Sequence, residues 1–365
     1  MARALKLARR GLYTTDPNPR VGCVLVKNDV VVGEGFHARA GGPHAEVNAL
    51  EAAGKSAQGA TAYVSLEPCC HSGRTGACTE HLIAAGVTTV VAAMRDPNPE
   101  VSGKGLAVLE SAGITVRQGL LESEATALNR GFISRMIRRR PHVRLKLATS
   151  LDGRTALASG ESRWITGPEA RRDVQRLRAR SSAILTGIGT VLADDPSLNV
   201  RENFSPLLAA DVSEIRQPLR VIADSKLRTP RRAKILSPPG AVLIATLDSS
   251  LPAADALRSA GAEVLALPGR NEKLDLAALL TQLADRGINE LHAECGATLA
   301  GALLSHKLVD ELVLYLAPAL LGSHARPMAL LEDITGMEQR LELIVEELRA
   351  VGGDIRLTAR PKPNG

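Results

Sequence analysis

The amino-acid sequence predicts an α/β protein of two domains. Its 365 residues exceed the roughly 150 residues of an ordinary domain. From residue 21 onward, short runs rich in β-branched residues alternate with Ala-rich runs of helical period, which is typical of layered α/β folds. A basic run that ends at Pro141 is followed by a fresh strand-like run. We therefore expect one domain at residues 1–140 and a second at 141–365.

Five strands and three helices are predicted for the first domain. The first two strands are joined by a turn at residues 27–29. Each predicted helix ends on Gly, which accepts the left-handed conformation that closes many helices. The strands are expected at 21–26, 30–35, 61–66, 87–93 and 114–119, and the helices at 43–54, 78–86 and 103–113.

The Arg-rich start of the chain, residues 1–15, has two interpretations. It lacks acidic residues, as transit peptides do. It also places apolar residues on one face, as an amphipathic helix of the first domain would: Ala4, Leu5, Ala8 and Leu12. We prefer the helix, and because no secretory signal is recognisable we expect a cytoplasmic protein.

The second domain repeats the alternation of strands and helices. Strands are expected at 143–149, 182–187, 220–224, 241–246, 311–318 and 355–361, and helices at 168–181, 274–287 and 296–305. The polar, Pro-rich residues 201–218 and 228–240 are predicted loops. No internal repeat is visible, and no apolar run reaches the length of a membrane span.

Composition narrows the class of partner. The balance of 45 Lys and Arg against 39 Asp and Glu gives a net charge of +6, which suits phosphate-bearing ligands. With three Phe, three Tyr and one Trp, the chain lacks stacking platforms for nucleic acid, and its core must be aliphatic. Five Cys favour thiol or metal chemistry over disulfides. We expect a small-molecule ligand, no nucleic acid, no membrane and a homo-oligomer.

A candidate metal site lies in the first domain. His44 begins a predicted helix, Cys69 follows a strand, and Cys78 begins the next helix, where the helix dipole favours a thiolate. These residues fill three tetrahedral positions of Zn²⁺ and leave the fourth for a water that the metal acidifies, as in catalytic zinc sites. Glu46 is placed to move protons between that water and a departing ammonia.

Each part of this pattern is weak alone, because an isolated His-x-Glu is more often a helix start with a solvated acid. The combination within one α/β domain points to zinc deaminase chemistry. Nucleobase deaminases commonly space their two Cys as C-x-x-C, whereas Cys69 and Cys78 enclose eight residues here. Cys70 and His71 therefore stay open as alternative ligands.

Four segments of the first domain, PNPRVGCVLV, GGPHAEVNAL, EPCCHSGRTGAC and DPNPEVSGKG, resemble the deaminase half of the bifunctional riboflavin-biosynthesis deaminase/reductase family. That half is cytidine-deaminase-like in fold. The family usually has two prolines where this chain has Gly76 and Ala77, which affects the rigidity of the loop. The resemblance implies zinc ligands at His44, Cys69 and Cys78 and a proton shuttle at Glu46. It also implies substrate contacts at Asn18, His71, Arg74, Asp96, Asn98 and Lys104. A substrate phosphate is the partner expected for Arg74 and Lys104, and a solvated loop charge is the alternative.

Several features of the second domain have ordinary explanations when taken singly. Gly187-Ile188-Gly189 follows a strand but lacks the third glycine of a dinucleotide fingerprint, so a tight strand-to-loop turn is the simpler interpretation. Asp152-Gly153 alone suggests a hairpin turn, and Trp164 alone suggests a core residue. Arg178, on a helix with four other arginines, would alone be solvated. Lys146 and Asp152 are expected to face a site.

Four further segments, KLATSLDGRTA, GESRWITG, HAECGATLAGALL and LYLAPALLG, resemble the reductase half of the same family, which is dihydrofolate-reductase-like in fold. The resemblance implies NADPH contacts at Ala148, Trp164, Thr190, Asp194, Ser225, Gly296, Ala297, Thr298, Leu299, Ala300, Gly301 and Ala302. It implies substrate contacts at Ser162, Arg178, Leu198, Arg201 and Glu294. Independently, Gly296 begins a helix whose N–H groups suit a cofactor phosphate. Arg178 and Arg201 each offer a forked donor pair to a substrate phosphate.

The resemblance implies two consecutive reactions of riboflavin synthesis. The first is zinc-dependent hydrolytic deamination of 2,5-diamino-6-ribosylamino-4(3H)-pyrimidinone 5′-phosphate, and the second is NADPH-dependent reduction of the ribosyl group to ribityl. Two alternatives remain. One is a zinc deaminase acting on a nucleobase in RNA or DNA, which predicts stacking aromatics, and the other is a non-catalytic zinc-binding module, which predicts a fourth protein ligand.

Overall fold

The computed structural model describes residues 1–70, 76–201, 216–331 and 334–363. It contains two compact units, of which the first comprises Met1–Arg140 together with Arg216, and the second begins at Pro141 and resumes at Gln217. Both units are layered α/β structures, which confirms the predicted class. In these ranges no helix combines the length and the apolar character needed to cross a membrane.

The first unit is built on a five-stranded sheet in the order β2-β1-β3-β4-β5. β1 is antiparallel to β2 and β3, whereas β3, β4 and β5 run parallel. All five predicted strands are confirmed with small shifts at their ends. They are β1 (Gly22–Lys27), β2 (Val30–Phe36), β3 (Thr61–Val64), β4 (Thr89–Ala92) and β5 (Thr115–Gln118).

Six helices accompany this sheet: α1 (Ala2–Ala8), α2 (Ala45–Ala53), α3 (Cys78–Ala84), α4 (Lys104–Ser111), α5 (Glu122–Leu128) and α6 (Arg130–Arg138). α1 buries Ala4, Leu5 and Ala8, as expected for an amphipathic domain helix. α5 was not predicted, because Ala125 is the one buried residue of this short polar helix and leaves no apolar periodicity to recognise.

Glycine in β2 determines how closely α2 can approach the sheet. A Cβ atom at Gly35 would lie 2.4 Å from the carbonyl oxygen of Ala45, and one at Gly33 would lie 2.3 Å from that of Ala49. Both positions therefore need a residue without a side chain. The close packing fixes the start of α2, where His44 and Glu46 lie.

The second unit contains a nine-stranded sheet in the order β11-β10-β9-β8-β14-β6-β15-β18-β17. In this order across the sheet, the first seven strands, from β11 to β15, run parallel to one another. β18 and β17 form an antiparallel hairpin at the edge beside β15. The strands of this sheet are β6 (His142–Ser150), β8 (Ala183–Gly187), β9 (Leu219–Ala223), β10 (Val242–Thr246), β11 (Ala262–Ala266), β14 (Glu290–Glu294), β15 (Glu311–Ala317), β17 (Leu343–Val351) and β18 (Asp354–Pro361). Two further two-stranded sheets pair β7 (Arg154–Ala156) with β16 (Arg326–Pro327) and β12 (Gly269–Arg270) with β13 (Lys273–Leu274).

The helices of the second unit are α7 (Pro168–Arg180), α8 (Ile188–Asp194), α9 (Pro252–Ser259), α10 (Leu276–Asp285) and α11 (Ala297–Ser305). The main core cluster of this unit is aliphatic, as the composition predicts. Val143, Leu145 and Leu147 of β6 belong to it. β6 is therefore both the first strand of the unit and a strand in the middle of its sheet.

Two local predictions are wrong in the second unit. The strand before Gly187 does not lead into a loop, because β8 passes directly into α8 at Ile188. Asp152-Gly153 does not close a hairpin between β6 and β7, because β7 pairs with β16. β17 was also missed, since a register shift between Val345 and Glu347 interrupts the alternation by which a strand is recognised.

Candidate active sites

Three possible metal ligands converge in the first unit. His44 precedes the first residue of α2, Cys69 lies beyond β3, and Cys78 is the first residue of α3. The Nδ1 atom of His44 lies 3.2 Å from Cys78 Sγ and 3.6 Å from Cys69 Sγ. One ligand atom from each residue lies within 4.8 Å of the other two. One imidazole and two thiols at this separation are a donor set that suits zinc.

The two thiols of this cluster differ in their pKa values. A hydrogen bond with Cys78 lowers the pKa of Cys69 to about 4, although burial acts in the opposite direction. The same hydrogen bond, together with burial, raises the pKa of Cys78. The backbone N–H of Cys78 also lies 3.4 Å from Cys69 Sγ. Cys69 therefore offers a thiolate, which is the form that binds a metal.

Glu46 lies in the first turn of α2 and is only 3% exposed. Burial raises the pKa of its carboxyl group to about 7, against the opposing effect of a hydrogen bond from its own backbone N–H. A carboxyl group that titrates near neutral pH can both accept and release a proton, as general acid and base catalysis requires.

His37 was not predicted as a site residue, yet it links two parts of this site. Its Nδ1 lies 2.9 Å from the carbonyl oxygen of Pro43 and therefore carries the ring proton, so Nε2 accepts from the amide of Asn18 at 3.0 Å. Its ring also meets that of His44 edge to face, with 5.4 Å between centroids. The sequence contained one relevant feature, a His directly after a strand and seven residues before His44.

Two of the residues implied as substrate contacts, Asp96 and Asn98, lie on the loop between β4 and α4, and a third, Lys104, is the first residue of α4. Asp96 Oδ1 accepts from the backbone N–H of Asn98 at 2.8 Å, and Asn98 Oδ1 accepts from that of Glu100 at 3.1 Å. The ammonium of Lys104 donates to the carbonyl oxygens of Pro99 and Glu100, both at 3.2 Å. These side chains thus shape the backbone of the loop, where Asp96 is buried, Asn98 is half-buried and Lys104 is exposed.

The other predicted residues of the first site are placed as follows. His71 and Arg74 lie outside the described residues. Cys70 is described and is not one of the three residues whose donor atoms converge. Among the alternatives to Cys69 and Cys78, the geometry thus gives no support to Cys70.

In the second unit, charged side chains gather where parallel strands end. Glu294 is the last residue of β14 and pairs in register with Lys146 of β6. Arg178 of α7 forms a bidentate ion pair with Glu294, with Nε–Oε1 at 2.5 Å and Nη2–Oε2 at 2.9 Å. Arg178 is buried, so its interpretation as one solvated charge among several is wrong. Ala148 and Ser225, which the resemblance implies as NADPH contacts, lie near the ends of β6 and β9 at the same edge.

Burial and pairing set the charges of this group. Burial disfavours the charged form of Glu294, but the Arg178 charge outweighs it and holds the pKa of Glu294 well below its usual range. Burial lowers the pKa of Lys146, with Glu294 acting in the opposite direction. Asp152 differs, because hydrogen bonds from Ser150 and from the backbone of Leu321 and Gly322 lower its pKa to about 2. Its carboxylate therefore holds the segment that follows β15.

Two cavities of about 390 and 370 Å³ share Trp164 and Arg201. Trp164 is 71% exposed, so its interpretation as a core residue is wrong. The guanidinium of Arg171 lies 4.3 Å from the centre of its indole ring. The larger cavity brings together six of the residues implied as cofactor or substrate contacts: Ser162, Trp164, Arg178, Asp194, Leu198 and Arg201.

The start of α11 lies against α8. The backbone N–H of Gly296 donates to the Thr190 hydroxyl at 3.1 Å. Later in the run, Ala300 is fully buried, and a Cβ atom at Gly301 would lie 1.9 Å from the carbonyl oxygen of Leu330. Gly301 thus packs against the backbone of a loop. The most exposed residues of this run are Gly296 and Thr298, at the start of the helix.

Both units of the chain match known protein families, and the whole chain is similar to proteins of known name. The profile described as "Cytidine and deoxycytidylate deaminase zinc-binding region" matches residues 1–94, and that described as "RibD C-terminal domain" matches residues 141–357. The riboflavin biosynthesis protein RibD of Escherichia coli K12 is 52% identical over 98% of this chain and 97% of its own length. That of Haemophilus influenzae is 51% identical over 99% and 96%.

Solved structures show the same relationship. The chain superposes on Acinetobacter baumannii RibD with a TM-score of 0.91 at 48% identity, covering 99% of this chain and 98% of the other. A Thermotoga maritima protein, described as a diaminohydroxyphosphoribosylaminopyrimidine deaminase/5-amino-6-(5-phosphoribosylamino)uracil reductase, gives 0.85 at 33% identity, with coverage of 99% and 97%. The chain belongs to the RibD family and is a bifunctional deaminase and reductase of riboflavin biosynthesis that uses zinc and NADPH.

Proposed function

We propose that residues 1–140 deaminate 2,5-diamino-6-ribosylamino-4(3H)-pyrimidinone 5′-phosphate and that residues 141–365 reduce the ribosyl group of the product to ribityl. The observation that carries this proposal is the convergence of His44, Cys69 and Cys78 beside the buried Glu46. The T. maritima relative, similar over its whole length, is described by these two activities. Family membership sets aside the nucleobase deaminase of RNA or DNA and the non-catalytic zinc module.

We assign zinc to His44 Nδ1 and the sulfur atoms of Cys69 and Cys78. Among the described residues this cluster contains no fourth protein donor, which supports a catalytic rather than a structural metal. Bound zinc supplies a Lewis acid that makes a water molecule nucleophilic near neutral pH. The thiolate character of Cys69 and the short separations of the donors support this assignment.

Glu46 is the proposed proton carrier of the deamination. Its carboxylate takes a proton from the attacking water and returns it to the departing amino group. The C–NH₂ bond is broken as the C–O bond forms, ammonia leaves, and the remaining hydroxyl proton moves to the adjacent ring nitrogen to give C=O. The pKa of about 7 allows both transfers at neutral pH. Asn18, Asp96 and Asn98 would hold the pyrimidine, with the Asn18 amide oriented by His37. His71, Arg74 and Lys104 would meet the ribose phosphate.

NADPH, when bound, supplies the hydride for the second reaction. We propose that its phosphates meet the first turn of α11 and that its remaining groups contact Trp164, Thr190 and Asp194 in and beside the larger cavity. The remaining implied contacts, Ala148, Ser225 and the later residues of α11, stay predictions.

The substrate of the reductase is expected to lie between the strand ends and Arg201. Because the Arg178 fork is engaged by Glu294, Arg201 is the better candidate for the substrate phosphate. It is exposed and lines both cavities. Lys146, whose pKa is lowered by burial, is a candidate to protonate the ring oxygen that reduction releases. Ser162 and Leu198 complete the proposed wall.

The test is incubation of the purified chain with the diaminopyrimidinone phosphate, with and without NADPH, followed by mass analysis. Without NADPH we expect the ribosyl product in which one amino group has become oxygen. With NADPH we expect the ribityl product, which carries two further hydrogens. Accumulation of the ribosyl product despite NADPH would contradict the second assignment, and unchanged starting material would contradict the first.

We also propose that the chain forms a homodimer through β17 and β18. Leu314, Leu357 and Leu348 are aligned across β15, β18 and β17 on one face, so the apolar face of the buried strands continues outward. On the edge strand β17, Leu348 is 65% exposed and Val345 is 57% exposed. An apolar face is self-complementary, as a two-fold contact requires. Leu348→Glu should shift the sedimenting mass from dimer to monomer, and an unchanged mass would refute this interface.

The cytoplasmic location and the absence of a nucleic-acid partner stay predictions.

A further inference from the structure

Glu67 is a buried carboxylate two residues before Cys69. It is 3% exposed and accepts four backbone hydrogen bonds. Its Oε2 atom accepts from the N–H groups of Asp96 at 3.1 Å and Gly103 at 2.9 Å. Its Oε1 atom accepts from Gly105 at 3.0 Å and Leu106 at 3.3 Å. Both oxygens are therefore committed to the backbone of one segment.

These bonds explain how a carboxylate can be buried here. A charged group taken out of water is costly unless hydrogen bonds replace its solvation, and bonds from N–H groups to a carboxylate are among the stronger ones. Two of the four donors, Gly105 and Leu106, lie in the first turn of the eight-residue helix α4. The positive end of that helix adds a favourable field for the negative charge.

The four donors span the loop that carries the proposed substrate contacts. Asp96, whose N–H is bound, and Asn98 lie near one end of this loop, and Lys104 lies at the other. A single side chain next to the metal-ligand segment thus holds both ends of the loop that would recognise the pyrimidine phosphate.

A second observation shows the same contact independently of the carboxylate. A Cβ atom at Gly105 would lie 2.0 Å from the carbonyl oxygen of Pro68, the residue between Glu67 and Cys69. α4 therefore packs against the backbone that leads into Cys69, and only a residue without a side chain permits this.

We propose that Glu67 is a positioning residue of the deaminase, which sets the distance between the metal centre at Cys69 and the substrate loop of residues 96–104. This proposal rests on the function proposed above for the first unit. Both oxygens of Glu67 are bound by backbone N–H groups, and Glu67 is not among the three residues whose donor atoms converge. It acts because the same short segment, Glu67 to Cys69, supplies one metal ligand and anchors the loop that presents the substrate.

The variant Glu67→Gln keeps the shape of the side chain but turns an amide NH₂ toward two of the four N–H donors. We expect the deaminase KM to rise about tenfold or more, because two hydrogen bonds to a buried acceptor are lost, while kcat falls less. Zinc content and the reductase activity of the same chain should stay unchanged. The exposed Glu110 of α4 gives the matched control, Glu110→Gln, for which no change is expected.

Binding can be measured without turnover in a Glu46→Gln background. There, adding Glu67→Gln should weaken calorimetric affinity for the diaminopyrimidinone phosphate about tenfold. Gly105→Ala, which moves α4 while leaving Glu67 intact, should raise KM in the same way. An unchanged KM and affinity in either variant would overturn the inference. The inference would also be overturned if a variant lost deaminase activity only because it released zinc and unfolded at a lower temperature, while its remaining activity kept a normal KM. Failure of the unaltered chain to release ammonia would instead refute the proposed function.

Discussion

The two candidate active sites differ in how far the folded chain alone assembles them. In the first, ligand atoms from three elements lie within 4.8 Å of one another, and the nearby acid is buried. In the second, the residues are spread over strand ends and an open cavity, and two of its charges, Arg178 and Glu294, neutralise each other. A metal site needs convergent side chains of particular types, whereas a cofactor site also uses backbone groups and exposed surfaces that many sequences provide.

The largest expected effect is on the deaminase site, where one residue, Glu46, carries the proton. Glu46→Gln should lower the deaminase kcat by at least ~10²-fold, because the proton carrier is lost. Reductase turnover and zinc content should not change. Ammonia release and NADPH oxidation, measured on the same preparation, give the two readouts. Glu51→Gln, on the exposed part of α2, is the control. Retained ammonia release in the Glu46 variant would remove this residue from the mechanism.

The second prediction tests whether Arg178 and Glu294 act as a unit. Arg178→Met removes the bidentate partner of the buried Glu294 carboxylate and leaves it with His292 at 3.3 Å, so we expect a loss of stability of about 3 kcal/mol together with loss of reductase activity. Combining it with Glu294→Gln should recover much of the stability but not the activity. Thermal unfolding and NADPH oxidation are the measurements, and Arg172→Met, at an exposed position of α7, is the control. Full stability in the single variant would show that the pair is not coupled.

A smaller effect is expected at Trp164. Because its side chain is largely exposed, Trp164→Ala should change the unfolding free energy by no more than about 0.5 kcal/mol. The KM for NADPH should rise about tenfold, equivalent to ~1.4 kcal/mol of lost contact. A lower unfolding temperature with unchanged KM would reverse this assignment and make Trp164 a packing residue.

The smallest effect is a dependence on pH. The pKa of Glu294 lies well below its usual range in the folded chain, whereas in the unfolded chain it should be near its ordinary value of about 4.3. Its contribution to stability is therefore complete above that value. It is lost as the pH falls, because the unfolded chain then takes up a proton that the folded chain does not. Glu294→Gln should make the fall of the unfolding temperature with acid shallower, and an unchanged slope would argue against this origin.

The sequence could predict features that depend on neighbouring residues in the chain, but not features that depend on distant segments. The strands of the first unit and its three proposed ligands were recognisable, because period and residue type are local properties of the chain. The burial of Arg178 and the exposure of Trp164 were not, because each depends on what distant segments place beside the helix or loop that carries it. Glu67 was missed for a related reason. Its four partners are backbone groups 29 to 39 residues away, and backbone groups leave no trace in sequence composition.

The position of β6 in its sheet affects the order in which the two units fold during synthesis. The sheet of the first unit is complete once Gln118 has been made. β6 is the first strand of the second unit, but its neighbours β14 and β15 begin only at Glu290 and Glu311. Its apolar residues must therefore wait, unpaired, until most of the chain has left the ribosome. The reductase half therefore exposes an unpaired apolar strand for longer during synthesis, and truncated chains should retain a deaminase sheet beside an unfolded second half.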